Sequence, residues 1–141
     1  MLRTLIDAGP LIALFDRDDQ LHFEIKRFLK SYEGSLITTW PVVTEVLHML
    51  DFNVKTQIDF LKWINLGALE VKSINVEDIS RIIEFSKKYA DIPMDFADAS
   101  LILISETDNI KEIISIDSDF YIYRNIRNEY LTNIFVPSPG T

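Results

Sequence analysis

Four acidic residues, widely separated along the chain, have the type and position needed for metal-dependent chemistry: Asp7, Glu45, Asp98 and Asp117. Asp7 and Asp117 follow short β-capable runs, whereas Glu45 and Asp98 lie in the opening turns of predicted helices. Carboxylates about 4 Å apart repel by roughly 4 kcal/mol per pair at an effective dielectric constant of about 20, so a cluster of them calls for a cation. Hard oxygen ligands select Mg²⁺ or Mn²⁺, and one or two such ions promote attack of water on a phosphodiester. We therefore predict a divalent-metal site on these acids.

Two of the four acids lie where a helix should be apolar. On a helical projection, Glu45 falls within about 60° of Val42 and Met49, so we expect its carboxylate to point inward. Asp98 has Leu101 beside it on its own helix. Neither acid has an arginine or lysine at a neighbouring helical position. Because a buried carboxylate normally needs a partner, a bound cation is a natural explanation.

Most of the acids also have an ordinary structural explanation. Asp95 could be a helix N-cap, with Asp98 at the third helical position interacting favourably with the helix dipole. Asp7 could initiate a turn, and Asp117 with Asp119 could be loop acids. The metal-site hypothesis is favoured because four independent positions fall at the same end of one predicted sheet.

Short β-capable runs alternate with amphipathic helical patterns along the chain. The predicted strands cover residues 2–6, 36–39, 68–74 and 112–116, with residues 133–136 as the fifth in a sheet of four to five strands. The predicted helices cover residues 11–15, 19–32, 41–50, 54–66, 76–89 and 95–106. Four side chains should form the buried side of the fifth of these helices: Ile79, Ile82, Ile83 and Phe85. The alternation predicts a three-layer α/β/α sandwich around a parallel sheet with right-handed crossovers, whose ligand site lies beyond the carboxyl ends of the strands.

Composition limits the class of protein. A chain of 141 residues fits one domain, which we place at residues 1–141. Without cysteine there are no disulfides or thiolate zinc sites, and the separated His22 and His48 make weak zinc ligands. No apolar run reaches the roughly 18 residues of a membrane span, and Asp7 follows the N-terminus too closely for a signal-peptide core, so we expect a cytoplasmic protein with no membrane contact.

The charge balance constrains any nucleic-acid partner. The net charge of −8 disfavours broad, salt-driven binding along phosphates, so contact with RNA should be local. Candidate contacts are Lys26, Arg27 and Lys30 on one segment, and Arg124 and Arg127 near the C-terminus. A solvated helix face explains the first group equally well.

Four segments carry a family resemblance. They are LIDAGPLIALF (residues 5–15), TTWPVVTEVLHML (38–50), PMDFADASLILISE (93–106), and Ser115 two residues before Asp117 with Phe120 shortly after. In this order and spacing they resemble the PIN-domain family, and more narrowly the VapC-like ribonuclease toxins of type II toxin–antitoxin pairs. The resemblance spans nearly the whole chain. YIYR (121–124) also resembles the tail of a PIN subgroup.

The resemblance implies a PIN-like fold and an Mg²⁺- or Mn²⁺-dependent endoribonuclease. It assigns metal binding to Asp7, Glu45, Asp98 and Asp117, with Asp95, Asp119 and Ser115 as auxiliary residues. It also implies a homodimer and a small antitoxin that covers the acidic pocket, frequently with an inserted arginine.

Two other functional interpretations are possible for such a sequence. A catalytically silent PIN-like module that binds RNA or a protein partner is the alternative to a nuclease, and the complete set of acids favours the nuclease. A phosphatase or receiver-like domain would need an acid two residues after Asp7 or an acid pair ahead of it. Gly9 occupies the first position, and Leu5 with Ile6 the second.

Overall fold

The computed structural model describes residues 2–92, 94–117, 123 and 130–135. Four residues singled out from the sequence lie outside the described residues: Asp119, Phe120, Arg124 and Arg127. Within the described ranges, no helix is long and apolar enough to cross a membrane.

The described elements alternate between strand and helix. The strands are β1 (Arg3–Ile6), β2 (Ser35–Thr39), β3 (Glu70–Lys72), β4 (Glu112–Ile114) and β5 (Thr132–Asn133). The helices are α1 (Ala8–Phe15), α2 (His22–Ser31), α3 (Trp40–Met49), α4 (Val54–Asn65), α5 (Ile79–Lys88) and α6 (Phe96–Asp108). The strands form one sheet in the order β3-β2-β1-β4-β5, and every neighbouring pair is parallel. The three-layer α/β/α prediction is confirmed.

The central strands are buried on both faces. Leu5 and Ile6 of β1 are 0% exposed, as are Ile37 and Thr38 of β2. Because successive side chains of a strand point to opposite faces, helices must cover the sheet on both sides. The Thr38 hydroxyl is satisfied by donating to the Ile6 carbonyl at 2.8 Å, so this polar side chain is tolerated in the interior.

Two helices begin directly where a central strand ends. Asp7 is the N-cap of α1 and follows β1 without a connecting loop. Thr39 is likewise the last residue of β2 and the N-cap of α3, and Pro41 lies in the first turn of α3, where a missing N–H is tolerated. The carboxyl edge of the sheet is therefore lined by helix N-termini.

Strand β4 ends earlier than the sequence suggests. The run over 112–116 predicts a strand to Ile116, but the ladder stops at Ile114. At Ser115 the Asn133 side chain takes over from the ladder: its Oδ1 accepts from the Ser115 N–H at 3.2 Å, and its Nδ2 donates to the Ser115 carbonyl at 2.7 Å. The chain is thus free to leave the sheet on its way to Asp117.

The helix predicted over residues 76–89 is also different in detail. It begins as a 3₁₀ turn at Val76–Asp78, and α5 proper starts at Ile79. Ile82 is buried as predicted, but Ile79 and Ile83 are 39% and 49% exposed, so placing them in the core was wrong. Phe85, the fourth predicted core side chain, is buried. The cause is that α5 packs chiefly against α6 among the described elements, which buries only a narrow stripe.

Candidate metal centre

Asp7 is the residue at which β1 gives way to α1. Its Oδ1 accepts a hydrogen bond from the Ala8 N–H at 2.8 Å, which caps the helix. Its Oδ2 accepts a second from the Ser115 hydroxyl at 3.2 Å. The residue is only 6% exposed. Initiating a helix and lining a pocket are therefore compatible tasks for this side chain.

Asp95 and Asp98 belong to the start of α6. The Asp95 carboxylate accepts from the Asp98 N–H at 2.8 Å, so the N-cap interpretation of Asp95 is confirmed. Asp98 lies at the third helical position, where the helix dipole favours a negative charge. It is 7% exposed, because α6 is buried continuously from Ala97 to Ser105.

Ser115 connects the first and last acids of the site. The Ser115 hydroxyl donates a hydrogen bond to Asp7 Oδ2. The Oγ atom of Ser115 also accepts a hydrogen bond from the Asp117 N–H at 2.9 Å. Ser115 is fully buried. One hydroxyl therefore fixes the loop that follows β4 against the end of β1 and holds Asp117 beside Asp7.

Gly9 permits a close approach between α1 and that loop. A β-carbon at Gly9 would lie 2.6 Å from Cγ1 and 2.8 Å from Cδ1 of Ile116. Such distances are well inside normal van der Waals contact of about 3.5–4 Å. The absence of a side chain thus lets Ile116 lie over the first turn of α1, one residue before Asp117.

The structure brings three of the four predicted acids into one cluster. Asp7, Asp98 and Asp117 each offer a carboxylate oxygen, and these oxygens lie within 4.8 Å of one another. They line a pocket of about 220 Å³, which we call the acid pocket, together with Glu45 and Asp95. The remaining wall consists of small and apolar residues: Ala8, Gly9, Ile12, Met49 and Ile116.

Glu45 stands at the pocket as predicted, but it does not point into the interior. The residue is exposed, whereas Val42 and Val46 form the buried face of α3. Met49, which the helical projection placed near Glu45 on the apolar side, is itself 53% exposed. The expectation of an inward-pointing carboxylate was wrong because α3 is covered only where it packs against α1, α6 and β2, and Glu45 lies outside that side.

Burial dominates the electrostatics of Asp7. It raises the pKa of Asp7 from 3.8 to about 7, with further increases from the charges of Glu45 and Asp117. Hydrogen bonds from the Ala8 N–H and the Ser115 hydroxyl oppose this rise, because both favour the ionised form. The donors are outweighed, so this carboxyl group holds a proton near neutral pH in the absence of a cation.

The same physics acts on the neighbouring acids. Burial raises the pKa of Asp98 from 3.8 to about 8, and Asp7, Asp95, Asp117 and Glu45 each add to the rise by charge repulsion. Burial and then the charges of Asp95 and Asp117 raise the pKa of Glu45 as well. The acids therefore oppose one another's ionisation.

The donor set fits a hard divalent cation. The clustered ligand atoms are all carboxylate oxygens, which suit Mg²⁺ or Mn²⁺ better than the nitrogen- and sulfur-binding metals. In the described part of the chain, the acid pocket is lined by no arginine or lysine. A divalent ion would supply the positive charge that the wall does not, and would lower the carboxyl pKa values by the reverse of the effect that raises them.

Comparison with known proteins places this arrangement in a family. Residues 4–126 match the sequence profile of the PIN domain. The chain belongs to the PIN domain family. Ribonuclease VapC26 of Mycobacterium tuberculosis is 23% identical to this PIN domain over 115 residues, which is 80% of this chain and 85% of that protein.

Solved structures agree on the fold of this PIN domain. VapC20 of Mycobacterium tuberculosis, described as a sarcin-ricin loop cleaving toxin, superposes with a TM-score of 0.76 at 19% identity and covers 84% of this chain and 93% of its own. VapBC2 of Rickettsia felis, bound to a promoter DNA fragment, superposes with a TM-score of 0.64 at 12% identity. The match covers 94% of this chain and 98% of that one. A toxin–antitoxin complex from Klebsiella pneumoniae superposes with a TM-score of 0.62 at 18% identity. The match covers 83% of this chain and 89% of that one.

The predicted basic contacts lie apart from the acid pocket of this PIN domain. Lys26, Arg27 and Lys30 are exposed on α2, and none of them lines the pocket. Lys26 instead borders a separate depression beside Phe15 and Trp63. A solvated helix face accounts for these residues, and their contact with RNA stays a prediction.

A pair of buried hydroxyl groups, which was not predicted from the sequence, positions the helix that carries Asp98. Thr39 Oγ1 and Ser100 Oγ lie 2.6 Å apart, and Ser100 also donates to the Ala97 carbonyl at 2.6 Å. Thr39 and Ser100 are 0% exposed. The pair fastens the end of β2 to the helix that carries Asp98. Its signal in the sequence is a serine two residues after Asp98, within an otherwise apolar run.

Proposed function

We propose that this PIN domain is a metal-dependent endoribonuclease that hydrolyses RNA phosphodiester bonds, and that it is the toxin of a toxin–antitoxin pair. The observation that carries the proposal is the meeting of Asp7, Asp98 and Asp117 oxygens within 4.8 Å. Carboxylates at this density repel one another unless they take up protons or bind a cation. The naming of VapC26 as a ribonuclease and of VapC20 as a sarcin-ricin loop cleaving toxin supports RNA as the substrate class.

The site residues would divide the work. Asp7, Asp98 and Asp117 would hold Mg²⁺ or Mn²⁺, and the bound ion would supply Lewis acidity for in-line attack of water on the phosphodiester. Glu45, exposed at the acid pocket with a raised pKa, would accept a proton from the attacking water. Ser115 would hold two of the ligands in position.

The auxiliary acids have a smaller part in the proposal. Asp95 orients the first turn of α6 through its bond to the Asp98 N–H, and its charge raises the pKa of Glu45. Asp119, outside the described residues, is proposed as a further acid near the site. Together they would increase the negative potential that attracts the cation.

We propose a small antitoxin as the protein partner. The solved complexes from Rickettsia felis and Klebsiella pneumoniae support this, since both are toxin–antitoxin assemblies with the same fold. A net charge of −8 is complementary to a basic segment of such a partner. A homodimer, a cytoplasmic location and a single domain over residues 1–141 stay predictions.

Cleavage of RNA by matched variants tests the function. Purified protein should cut a labelled RNA with Mn²⁺ or Mg²⁺ and stop when the metal is chelated. Asp7→Asn and Asp98→Asn should each abolish cleavage while leaving the far-UV circular dichroism spectrum intact. Asp51→Asn removes an exposed acid outside the acid pocket and should cut at the wild-type rate.

The same assay can reject the proposal in two ways. Undiminished cleavage in both pocket variants would mean that the assigned acids are not the active site. A folded wild-type protein that cuts no RNA with either ion would favour the catalytically silent module instead.

A further inference from the structure

A second, larger groove lies against the acid pocket. Its volume is about 780 Å³, and Asp95 belongs to the walls of both. The rest of its lining is mostly apolar and includes Val76 and Ile79, which are 86% and 39% exposed. Val76 thus lies mostly in water and Ile79 partly so, although each would gain by leaving water. We call this feature the apolar groove.

Two aromatic side chains stand in the apolar groove at the starts of the helices that carry the acids. Trp40 is the first residue of α3 and is 49% exposed, and Phe96 is the first residue of α6 and is 48% exposed. Glu45 follows Trp40 by five residues, a rise of about 7.5 Å along the helix axis. Asp98 follows Phe96 by two. The backbone that positions the acids therefore positions the rings too.

Charge alone would not retain RNA at this site. The chain carries a net charge of −8, and the described walls of the acid pocket and the apolar groove include no arginine or lysine. Contacts with phosphates supply most of the affinity of basic nucleic-acid-binding proteins. Here the affinity must have another source, and stacking of bases on exposed aromatic rings is one that does not depend on charge.

We propose that the apolar groove binds an unpaired base next to the scissile phosphate of single-stranded RNA, stacked on Trp40 with Phe96 as the second apolar wall. This inference rests on the proposed nuclease function and adds to it a surface that would bind one unpaired base beside the acids. Paired RNA, whose bases already stack on one another, is a poor ligand of the groove. Asp95 lines both cavities, so a base in the apolar groove would lie beside the acid pocket.

Steady-state cleavage of a single-stranded oligonucleotide tests the stacking surface. Trp40→Ala should raise KM roughly 5- to 150-fold, as expected for the loss of one stacked base. Trp40→Phe keeps an aromatic face and should recover most of the loss. Phe23→Ala is the control, because Phe23 is 72% exposed on α2 and lines neither cavity. Equal KM values for Trp40→Ala and Phe23→Ala would overturn the inference and leave the nuclease function standing.

A binding measurement separates the inference from catalysis. The chain has two tryptophans, so Trp63→Phe leaves Trp40 as the only indole reporter, and Asp98→Asn prevents cleavage during the titration. Single-stranded RNA should quench the fluorescence of this double variant. An oligonucleotide with abasic sites, or a fully paired duplex, should quench it much less.

The outcomes of the titration are distinct. Equal quenching by abasic and normal strands would show that phosphates alone are bound and would overturn the proposal. Base-dependent quenching by a protein whose wild-type form cuts no RNA would support the groove while rejecting the nuclease function. If Trp40→Ala altered only the oligomeric state measured by light scattering, with KM unchanged, the groove would be a protein interface and the proposal would fail.

Discussion

At the scale of single residues, the acids compete with one another for protons. Asp7 and Asp98 have pKa values raised to about 7 and about 8, mainly by burial. The Asp7 carboxylate accepts from the Ala8 N–H and caps α1, whereas the backbone N–H of Asp98 donates to the Asp95 carboxylate at the start of α6. The fold therefore positions both residues before any ion arrives, and a cation would meet ligands that must lose protons.

Asp98→Asn should flatten the pH dependence of stability in the metal-free protein. The folded pKa of Asp98 is about 8 against 3.8 ordinarily, so between these values the folded form keeps a proton that the unfolded form has lost. Stability from this group is therefore full below about pH 4 and is lost as the pH rises through about 8. Asparagine carries no such proton, so the variant should unfold at a higher temperature than wild type near pH 8 and at a similar one near pH 5.

Thermal unfolding in a chelator across that pH range is the measurement, with Asp51→Asn expected to follow the wild-type slope. Parallel curves for wild type and Asp98→Asn would mean that the carboxyl group is not perturbed. Excess Mn²⁺ at about pH 8 should reverse the order, because the ion stabilises only a chain that keeps its ligands.

At the scale of elements, the contact of α1 with the loop after β4 sets the position of Asp117. Gly9→Ala should weaken metal binding, because its new methyl group overlaps the Ile116 side chain and displaces the loop. The cost in unfolding temperature should be small, since Ile116 is 41% exposed and can rotate away, and alanine is a better helix residue than glycine by up to about 1 kcal/mol.

Calorimetric titration of Mn²⁺ checks this expectation, and the double variant Gly9→Ala/Ile116→Ala provides the control. Removing Cγ1 and Cδ1 of Ile116 deletes both close contacts, leaving Cβ at 4.0 Å. The double variant should therefore bind metal better than Gly9→Ala alone. Equal affinities for the two would show that the overlap does not act through the loop.

The elements themselves were largely predictable from local sequence, whereas their exposure was not. Pro41 marks the joint between β2 and α3 through its preference for a first helical turn, whereas α1 starts at Ala8, three residues before the predicted start, because Asp7 caps it directly after β1. The early end of β4 depends on Asn133, and no local pattern reveals a side chain 18 residues away. The exposure of Glu45, Ile79 and Ile83 depends on how much of a helix its neighbours cover, which periodicity alone does not contain.

At the scale of the whole molecule, the charge distribution should make RNA cleavage weakly dependent on salt. A protein that neutralises six to ten phosphates loses about 10³–10⁵ in affinity between about 50 and 200 mM salt. This chain carries a net charge of −8 and no basic residue in the described walls of either cavity. We therefore expect KM for single-stranded RNA to change less than about tenfold over that range at saturating metal.

Initial cleavage rates at several concentrations of a monovalent salt provide the measurement. Lys26→Gln/Arg27→Gln/Lys30→Gln is the informative variant, because these exposed side chains of α2 were the basic contacts predicted from the sequence. A steep salt dependence in wild type that the triple variant reduces would show that α2 carries phosphate contacts and would contradict the expectation of weak dependence.

The hydrogen bond between Ser115 and Asp7 spans 108 positions of the chain. A ribosome that has synthesised the protein only as far as α6 has produced Asp7, Glu45 and Asp98. It has not yet produced Ser115 or Asp117. A nascent polypeptide consequently lacks one of its three clustered ligands until synthesis has passed Asp117. For a protein proposed to cut RNA, this order of synthesis delays activity until β4 and Asp117 have left the ribosome.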